Sequence, residues 1–381
     1  PDPTAGQRRR TLKTGPVVLA AGGTGGHVFP AESLARVLMR RGHRLIFVTD
    51  RRGGAYSGAL ADVETHRVHA GGIAGAGFLG RVRGAAQLAV GVLQAGKVLA
   101  QARPSVVVGF GGYASIPAMI AATRSGRLAA IHEQNAVLGR ANRLLAPRVK
   151  RIATSFAEVR RIAANQRDKV VYTGMPVRDA VVEMRDRPFP PMTDKLHLLV
   201  VGGSQGAAIL GEVLPKAIGG LSDDLKQRLV VTQQARPELL EQVQAAYAET
   251  GVQSEIAAFF DDLPARLSDA HLLVCRAGAS TVAELTTAGR PAILVPYPHA
   301  VDDHQTANAH ALDSAGGGWL IPQPGFTVEA LTARLSELFN SPSALTAAAV
   351  CAARAGRPDA AERLADMVED LIGTNGEKEA A

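Results

Sequence analysis

Cysteine is nearly absent from this chain of 381 residues, with Cys275 and Cys351 as the whole complement. No disulfide framework and no CxxC zinc site can be built from two such residues, which fits a reducing compartment. Aromatic residues make up 4% of the chain, with a single Trp. No aromatic-rich RNA motif or zinc finger appears, so no nucleic-acid partner is expected. No run of about 18 apolar residues exists, so no transmembrane helix is expected. The nearest candidate, residues 85–100, is interrupted by Gln87, Gln94 and Lys97. Arg9-Arg10-Thr11-Leu12-Lys13 resembles a twin-arginine export signal, but the apolar run behind it, residues 17–21, is too short for a signal h-region. Residues 1–14 are expected to form a flexible basic tail. The glycine loops carry no Walker-type Gly-Lys-Ser/Thr, which excludes a P-loop NTPase. There is also no D-x-D motif, and the pairs Asp223-Asp224, Asp261-Asp262 and Asp302-Asp303 read as helix starts and solvated loops, so neither metal nor cofactor is expected.

The residues that are present describe a packed α/β chain. Hydrophobic residues reach 46% and charged ones 20%, enough for a sizeable core. The net charge of +7 conceals an asymmetry: residues 1–176 hold 26 Lys and Arg against 8 Asp and Glu, whereas residues 177–381 hold 16 against 27. A basic half joined to an acidic half implies an anionic surface or substrate facing the basic half.

Short apolar runs followed by glycines recur along the chain. Val17-Val18-Leu19-Ala20-Ala21 reads as a buried parallel strand entering Gly22-Gly23-Thr24-Gly25-Gly26, with a helix expected from about Pro30. Strands are expected around residues 45–48, 106–108 and 128–131. The pattern restarts at Leu198-Leu199-Val200-Val201 before Gly202-Gly203-Ser204-Gln205-Gly206, with further strands around 229–231, 272–274 and 292–295. Arg185-Asp186-Arg187-Pro188-Phe189-Pro190-Pro191 reads as a linker. The expectation is two successive doubly wound domains, residues 15–180 and 181–356, followed by an amphipathic helix within 357–381. That helix, over residues 358–372, places Leu364, Met367, Val368 and Leu371 on one face.

The glycine loops suit a nucleotide-sugar site better than a dinucleotide site. From Gly23 the dinucleotide fingerprint fails at Val28, and from Gly203 it fails at Gln205; Asp50 keeps a nicotinamide or flavin enzyme open as an alternative. Cys275-Arg276-Ala277-Gly278-Ala279-Ser280-Thr281-Val282-Ala283-Glu284 follows a buried strand and opens a helix. Its N–H groups can hold a diphosphate without lysine or metal. Equally, Ser280 or Thr281 can cap that helix with Glu284 completing a capping box.

Gly22-Gly23-Thr24-Gly25-Gly26-His27-Val28-Phe29-Pro30, Gly111-Gly112-Tyr113, His132-Glu133-Gln134-Asn135, Pro176-Val177-Arg178, Gly202-Gly203-Ser204-Gln205-Gly206-Ala207 and the stretch from Cys275 to Glu284 resemble, in order and spacing, the motifs of the MurG family. The resemblance runs from about residue 16 to the last helix. It implies an α/β GT-B fold, two Rossmann-like domains facing across a deep cleft. It also implies inverting transfer of N-acetylglucosamine from UDP-GlcNAc to the C4 hydroxyl of undecaprenyl-diphosphoryl-MurNAc-pentapeptide, a polyprenyl-diphosphate-linked muramyl pentapeptide, in peptidoglycan synthesis. By the same resemblance Thr24, Gly25, Gly26 and Asn135 would form the amino-domain side, with Arg178 and Ser204 near the donor. The backbone of Phe260 would read uracil. Ala279, Ser280, Thr281, Val282, Ala283 and Glu284 would hold diphosphate and ribose, and Gln305, assisted by Asn308, would read the sugar. Met175 stands where the family often has Asn, and Ala277 and Ser280 differ from some members.

His27 is the leading candidate base, because its pKa lies near neutrality; binding acceptor phosphate or capping a helix are its alternative roles. Glu133 is the rival carboxylate, or a loop brace. His299, His304 and His310 read as part of a donor-sugar loop. A UDP-GlcNAc epimerase of the same fold and a non-catalytic basic scaffold are the competing readings. By the resemblance, the acceptor's lipid would place the protein peripherally on an anionic membrane surface, the cytoplasmic face of the bacterial inner membrane. The loop over residues 71–83, with Ile73, Phe78, Leu79, Arg81 and Arg83, is the expected contact; equally, Phe78 and Leu79 can pack inside the domain ahead of a helix from about Gly84.

Overall fold

The apolar runs become strands buried on both faces, as parallel strands covered by helices must be. The computed structural model describes residues 15–22, 25–50, 58–71, 78–203 and 206–380. Thr24, Ser204 and the basic tail 1–14 lie outside the described residues. So do residues 72–77 of the expected membrane loop and the side chains of Phe78, Leu79 and Arg81.

The first half runs β1 (Val17–Ala20), α1 (Gly25–Arg40), β2 (Leu45–Asp50), β3 (Glu64–Val68), α2 (Phe78–Ala102), β4 (Val106–Gly109), α3 (Gly112–Arg124), β5 (Ala129–Glu133), α4 (Arg140–Leu145), β6 (Arg151–Thr154), β7 (Val170–Tyr172) and α5 (Asp179–Val182). The strands of the first unit are ordered β3-β2-β1-β4-β5. Val17 is in register with Leu45 on one side and Val106 on the other, both parallel. The order reverses between β1 and β4, and ligands in such sheets bind at the carboxyl ends beside that switch point. Helix α1 starts at Gly25, so Pro30 is its sixth residue rather than its first. The ring removes only the donor that would have reached the Gly26 carbonyl, a tolerable loss near a helix start. Helix α2 likewise starts at Phe78, ahead of the expected Gly84.

The second half runs β8 (Leu196–Val201), α6 (Ala208–Gly219), α7 (Asp223–Arg228), β9 (Leu229–Gln234), α8 (Leu240–Ala248), β10 (Gln253–Ala257), α9 (Leu263–Asp269), β11 (Leu272–Cys275), α10 (Ala279–Ala288), β12 (Ala292–Leu294), α11 (His304–Ser314), β13 (Gly318–Leu320), α12 (Val328–Phe339), α13 (Pro342–Ala355) and α14 (Ala360–Ala380). Its sheet is ordered β10-β9-β8-β11-β12-β13, with every pair parallel. The switch point lies between β8 and β11, so the turn into α10 stands at the place where a ligand is held. Edge strand β10 begins with exposed Gln253, Ser254 and Glu255, which discourages pairing with another chain.

Two compact units emerge. One takes the chain up to His132 together with Ala141–Ile152 and the residues from Ala365 onward; the other holds Glu133–Arg140 and Ala153–Leu364. These seams differ from boundaries at 180 and 356, because Phe156, Met175, Val177 and Val181 pack into the apolar cluster of the second unit. In the first unit Arg41 Nη1 donates to Asp366 Oδ1 and Glu369 Oε2, both at 2.7 Å, which ties α14 residues to the end of α1. Leu364, Met367, Val368 and Leu371 are buried, the face the sequence pattern marks.

The second unit contains a guanidinium buried without a direct carboxylate contact among the described residues, with Asp269 acting on it through charge alone. Arg290 donates to the carbonyls of Leu267 and Ser268, at the end of α9, and of Ala288 and Gly289, at the end of α10. Carbonyl ends of two helices stand in for an anion there. Nearby, His271 accepts from the His197 backbone N–H through Nδ1 at 2.9 Å and stacks on the His197 ring. Burial, the largest influence, holds the His271 pKa below its ordinary value.

Candidate active site

Helix α10 follows β11 directly, and Gly278 is its N-cap. No side chain caps it, so neither Ser280 nor Thr281 takes the capping role and Glu284 closes no capping box. The first-turn N–H groups of Ala279, Ser280 and Thr281 are therefore not occupied by a capping side chain, the arrangement that favours an anion. Ala279 and Val282 are buried, and the Val282 N–H donates to the Gly278 carbonyl at 3.0 Å. Ala279, Val282 and Ala283 border a 620 Å³ cleft that also touches Met175 and His310.

Arg178 and Glu284 meet beside this helix end. Arg178 Nε and Nη2 both donate to Glu284 Oε1, at 3.1 and 2.9 Å. Together with Thr281, Leu263 and Pro264 they border a small cavity of 40 Å³. Burial pushes the Glu284 carboxyl above its ordinary value, and Arg178 opposes the shift. The Cys275 thiol at the end of β11 is pushed up to about 12 by burial, which makes it a filler of the core rather than a nucleophile. Phe260 is buried with Arg266 over its ring at 4.2 Å, while neighbouring Phe259 is exposed.

Glu133, Asn135 and Asn308 come together as braces. Glu133 Oε1 accepts from the Asn135 N–H at 3.0 Å and Oε2 from the Gly139 N–H at 2.8 Å. The carboxylate is buried and engaged at both oxygens, the geometry of a loop brace rather than of an available base. Asn308 is fully buried. Its Oδ1 accepts from the Ala136 N–H at 2.8 Å, and its Nδ2 donates to Asn135 Oδ1 and the Ala277 carbonyl, both at 3.1 Å. Gln305 accepts from the Tyr297 N–H at 2.9 Å.

In the first unit Gly25, Gly26 and His27 form the start of α1. The His27 ring lies over Gly112: a Cβ there would stand 3.1 Å from His27 Cδ2 and 3.3 Å from Nε2. Gly112 also has φ +69°, a conformation that favours glycine, and a Cβ there would press on the His27 ring. The sequence reading missed Arg276. Its Nη1 donates to the carbonyls of Val295 and Pro296 and its Nη2 to Gln323 Oε1, holding the loop after β12. An arginine just after a strand carries no signal for such a distant partner.

Two family descriptions match, "Glycosyltransferase family 28 N-terminal domain" over residues 17–154 and "Glycosyltransferase family 28 C-terminal domain" over residues 197–364. A relative from Paramagnetospirillum magneticum is 58% identical, over 93% of this chain and 96% of its own length. Another, from Rhodospirillum centenum, is 55% identical over 95% and 96%. Both are named UDP-N-acetylglucosamine--N-acetylmuramyl-(pentapeptide) pyrophosphoryl-undecaprenol N-acetylglucosamine transferase. The crystal structure of Acinetobacter baumannii MurG is 32% identical with a TM-score of 0.75, covering 93% of this chain and 99% of that one. Two parallel-sheet units of the GT-B type, both family-28 domains and relatives at this identity lead to one conclusion: the chain belongs to the MurG family of glycosyltransferases.

Proposed function

We infer that the protein transfers N-acetylglucosamine from UDP-GlcNAc to the C4 hydroxyl of undecaprenyl-diphosphoryl-MurNAc-pentapeptide, with inversion, in peptidoglycan synthesis. The observation that carries this reading is the uncapped start of α10 beside the Arg178–Glu284 pair, in a chain whose relatives bear the name of that transfer. The α10 N–H groups take the donor diphosphate and stabilise the departing UDP, in the manner of oriented donors aimed at developing charge. Glu284 accepts from ribose hydroxyls, Phe260 reads uracil through its backbone, and Gln305 meets the sugar. Thr24, Gly25, Gly26 and Ser204 complete the substrate contacts. Asn135 and Asn308 act by holding the loops around the sugar. His27 takes the proton from the acceptor hydroxyl as it attacks C1 of the sugar; the C1–O bond to the diphosphate breaks and UDP leaves. The test mixes the protein, UDP-GlcNAc and a lipid I analogue and follows products by mass. The disaccharide-bearing lipid is expected. Isomerised nucleotide sugar without transfer would assign an epimerase instead.

The acceptor's lipid brings the protein to the cytoplasmic face of the bacterial inner membrane as a peripheral protein. Among the described residues, no helix is long and apolar enough to cross a membrane. Helix α2 supports a surface contact, because its 25 residues include no Asp or Glu and Val82, Val90 and Leu93 are exposed along it. Apolar insertion with basic residues at hand is how peripheral helices bind anionic lipid. Co-sedimentation with anionic vesicles should fall when Phe78, Leu79, Arg81 and Arg83 are replaced together. Unchanged sedimentation and unchanged turnover on embedded acceptor place the contact elsewhere.

A further inference from the structure

The turn that delivers Gln305 is held in an uncommon conformation. Asp302 and Asp303 both have positive φ, 57° and 55°. Residues other than glycine stay in that region only where their surroundings hold them, and such turns gather at ligand sites. Opposite stands Arg161, itself at φ 67°. Its Nη1 lies 2.8 Å from Asp302 Oδ1, and Arg140 Nε stands 3.7 Å from Oδ2. The Asp302 side chain is 14% exposed while Arg161 and Arg140 are 49% and 64% exposed, so the carboxylate is the shielded member of the cluster.

The arginines are anchored in turn. Arg160 N–H donates to the Ala136 carbonyl and Leu138 N–H to the Arg160 carbonyl, both at 2.9 Å, which fixes Arg161 beside the segment carrying Arg140. The same segment is tied to α11 by Asn308, which accepts from the Ala136 N–H. Gln305 therefore lies between two anchors, Asp302 before it and Asn308 after it. Inside this circuit His304 Nδ1 and the Val301 carbonyl are 2.8 Å apart. Gln305 Oε1 accepts from the Tyr297 N–H. With its oxygen engaged, Gln305 has its amide nitrogen left for a ligand.

We propose that Asp302 is a positioning residue for the donor sugar: its ion pair with Arg161, backed by Arg140, holds the left-handed turn in the conformation that aims Gln305 at the sugar hydroxyls. The inference rests on the donor-site reading above and adds a residue that acts through Gln305 rather than on the substrate. Its effect falls on the sugar and spares the uridine diphosphate, which binds at α10.

Calorimetry with UDP and with UDP-GlcNAc, and turnover with UDP-GlcNAc against UDP-GalNAc, test it. Asp302→Asn and Arg161→Asn remove the ion pair while keeping a residue that tolerates positive φ. The expected result is UDP affinity within about twofold of the native chain, with UDP-GlcNAc affinity and kcat/KM lower by roughly tenfold. Discrimination against UDP-GalNAc should shrink as well. The double variant should be no worse than either single one, since both remove the same interaction. Native UDP-GlcNAc affinity in both variants overturns the proposal, as does an equal loss for UDP, which marks a purely structural role. A native chain that binds no UDP-GlcNAc overturns the donor-site reading itself.

Discussion

Arg178 donates two hydrogen bonds to a single oxygen of Glu284, across 106 residues of sequence. The pair leaves Glu284 Oε2 for a ligand hydroxyl and holds the carboxylate beside the α10 start. Glu284→Ala should raise the donor KM about tenfold or more, the scale of a lost charged hydrogen bond at ~1.5–3 kcal/mol. An unchanged donor KM in a variant of native Tm would refute the ribose role.

The same carboxyl should make donor binding sensitive to acid. Burial raises its pKa and Arg178 lowers it. The carboxylate form is the acceptor, so donor kcat/KM should fall as pH drops through a value above that of an ordinary glutamate, at ~4.3. Arg178→Ala removes the opposing influence, so the acid limb should move to still higher pH. A limb that stays put in that variant would separate the limb from Glu284.

His27→Ala should lower kcat by roughly 10²-fold, the scale of general base catalysis. Gly112→Ala should reproduce part of this loss, because its Cβ would crowd the His27 ring at 3.1 Å. Donor affinity measured separately should survive both changes. A kcat near the native value in His27→Ala would place the base elsewhere.

Turnover should persist in excess EDTA. The expectation rests on the absence of a D-x-D motif from the sequence and on the uncapped α10 end as the diphosphate site. Activity lost with EDTA and restored by Mg²⁺ or Mn²⁺ would overturn it.

Stability should fall below neutrality through His271. Its Nδ1 accepts from the His197 N–H, so the neutral ring is the one that fits. Its folded pKa is lowered, chiefly by burial. Between that value and the unfolded value of ~6.5 the unfolded chain binds more protons, so this contribution to stability is lost as pH falls through the window. His271→Phe should be less stable at pH 8 by about 1–3 kcal/mol, since the His197 N–H loses its acceptor. Its Tm should nevertheless vary less from pH 7 to pH 5 than that of the native chain. Equal pH slopes would remove His271 as the cause.

Local patterning alone marked the apolar strands β1, β2, β4, β5, β8, β9, β11 and β12 and the buried face of the last helix, but not β3, β6, β7, β10 or β13, which are short or carry polar residues. Val17-Val18-Leu19-Ala20 reads as a buried strand and is one, and Leu364, Met367, Val368 and Leu371 repeat at the helical period. Backbone preference and burial act over a few residues, so they are written in consecutive letters. Helix starts were less legible: α1 and α2 begin ahead of the expected residues, because glycine and proline discourage a helix without forbidding it. The motifs placed Glu284, Glu133 and Asn308 together as site candidates but could not tell a binding group from a brace. Only the tertiary structure put Arg178 on Glu284, closed Glu133 on the N–H groups of Asn135 and Gly139, and set Arg161 on Asp302. It also left α10 without a side-chain cap, where spacing alone allowed a capping box. These outcomes depend on where residues far apart in the chain finish in space, and on which oxygen a given N–H meets first, which the path of the folded backbone decides.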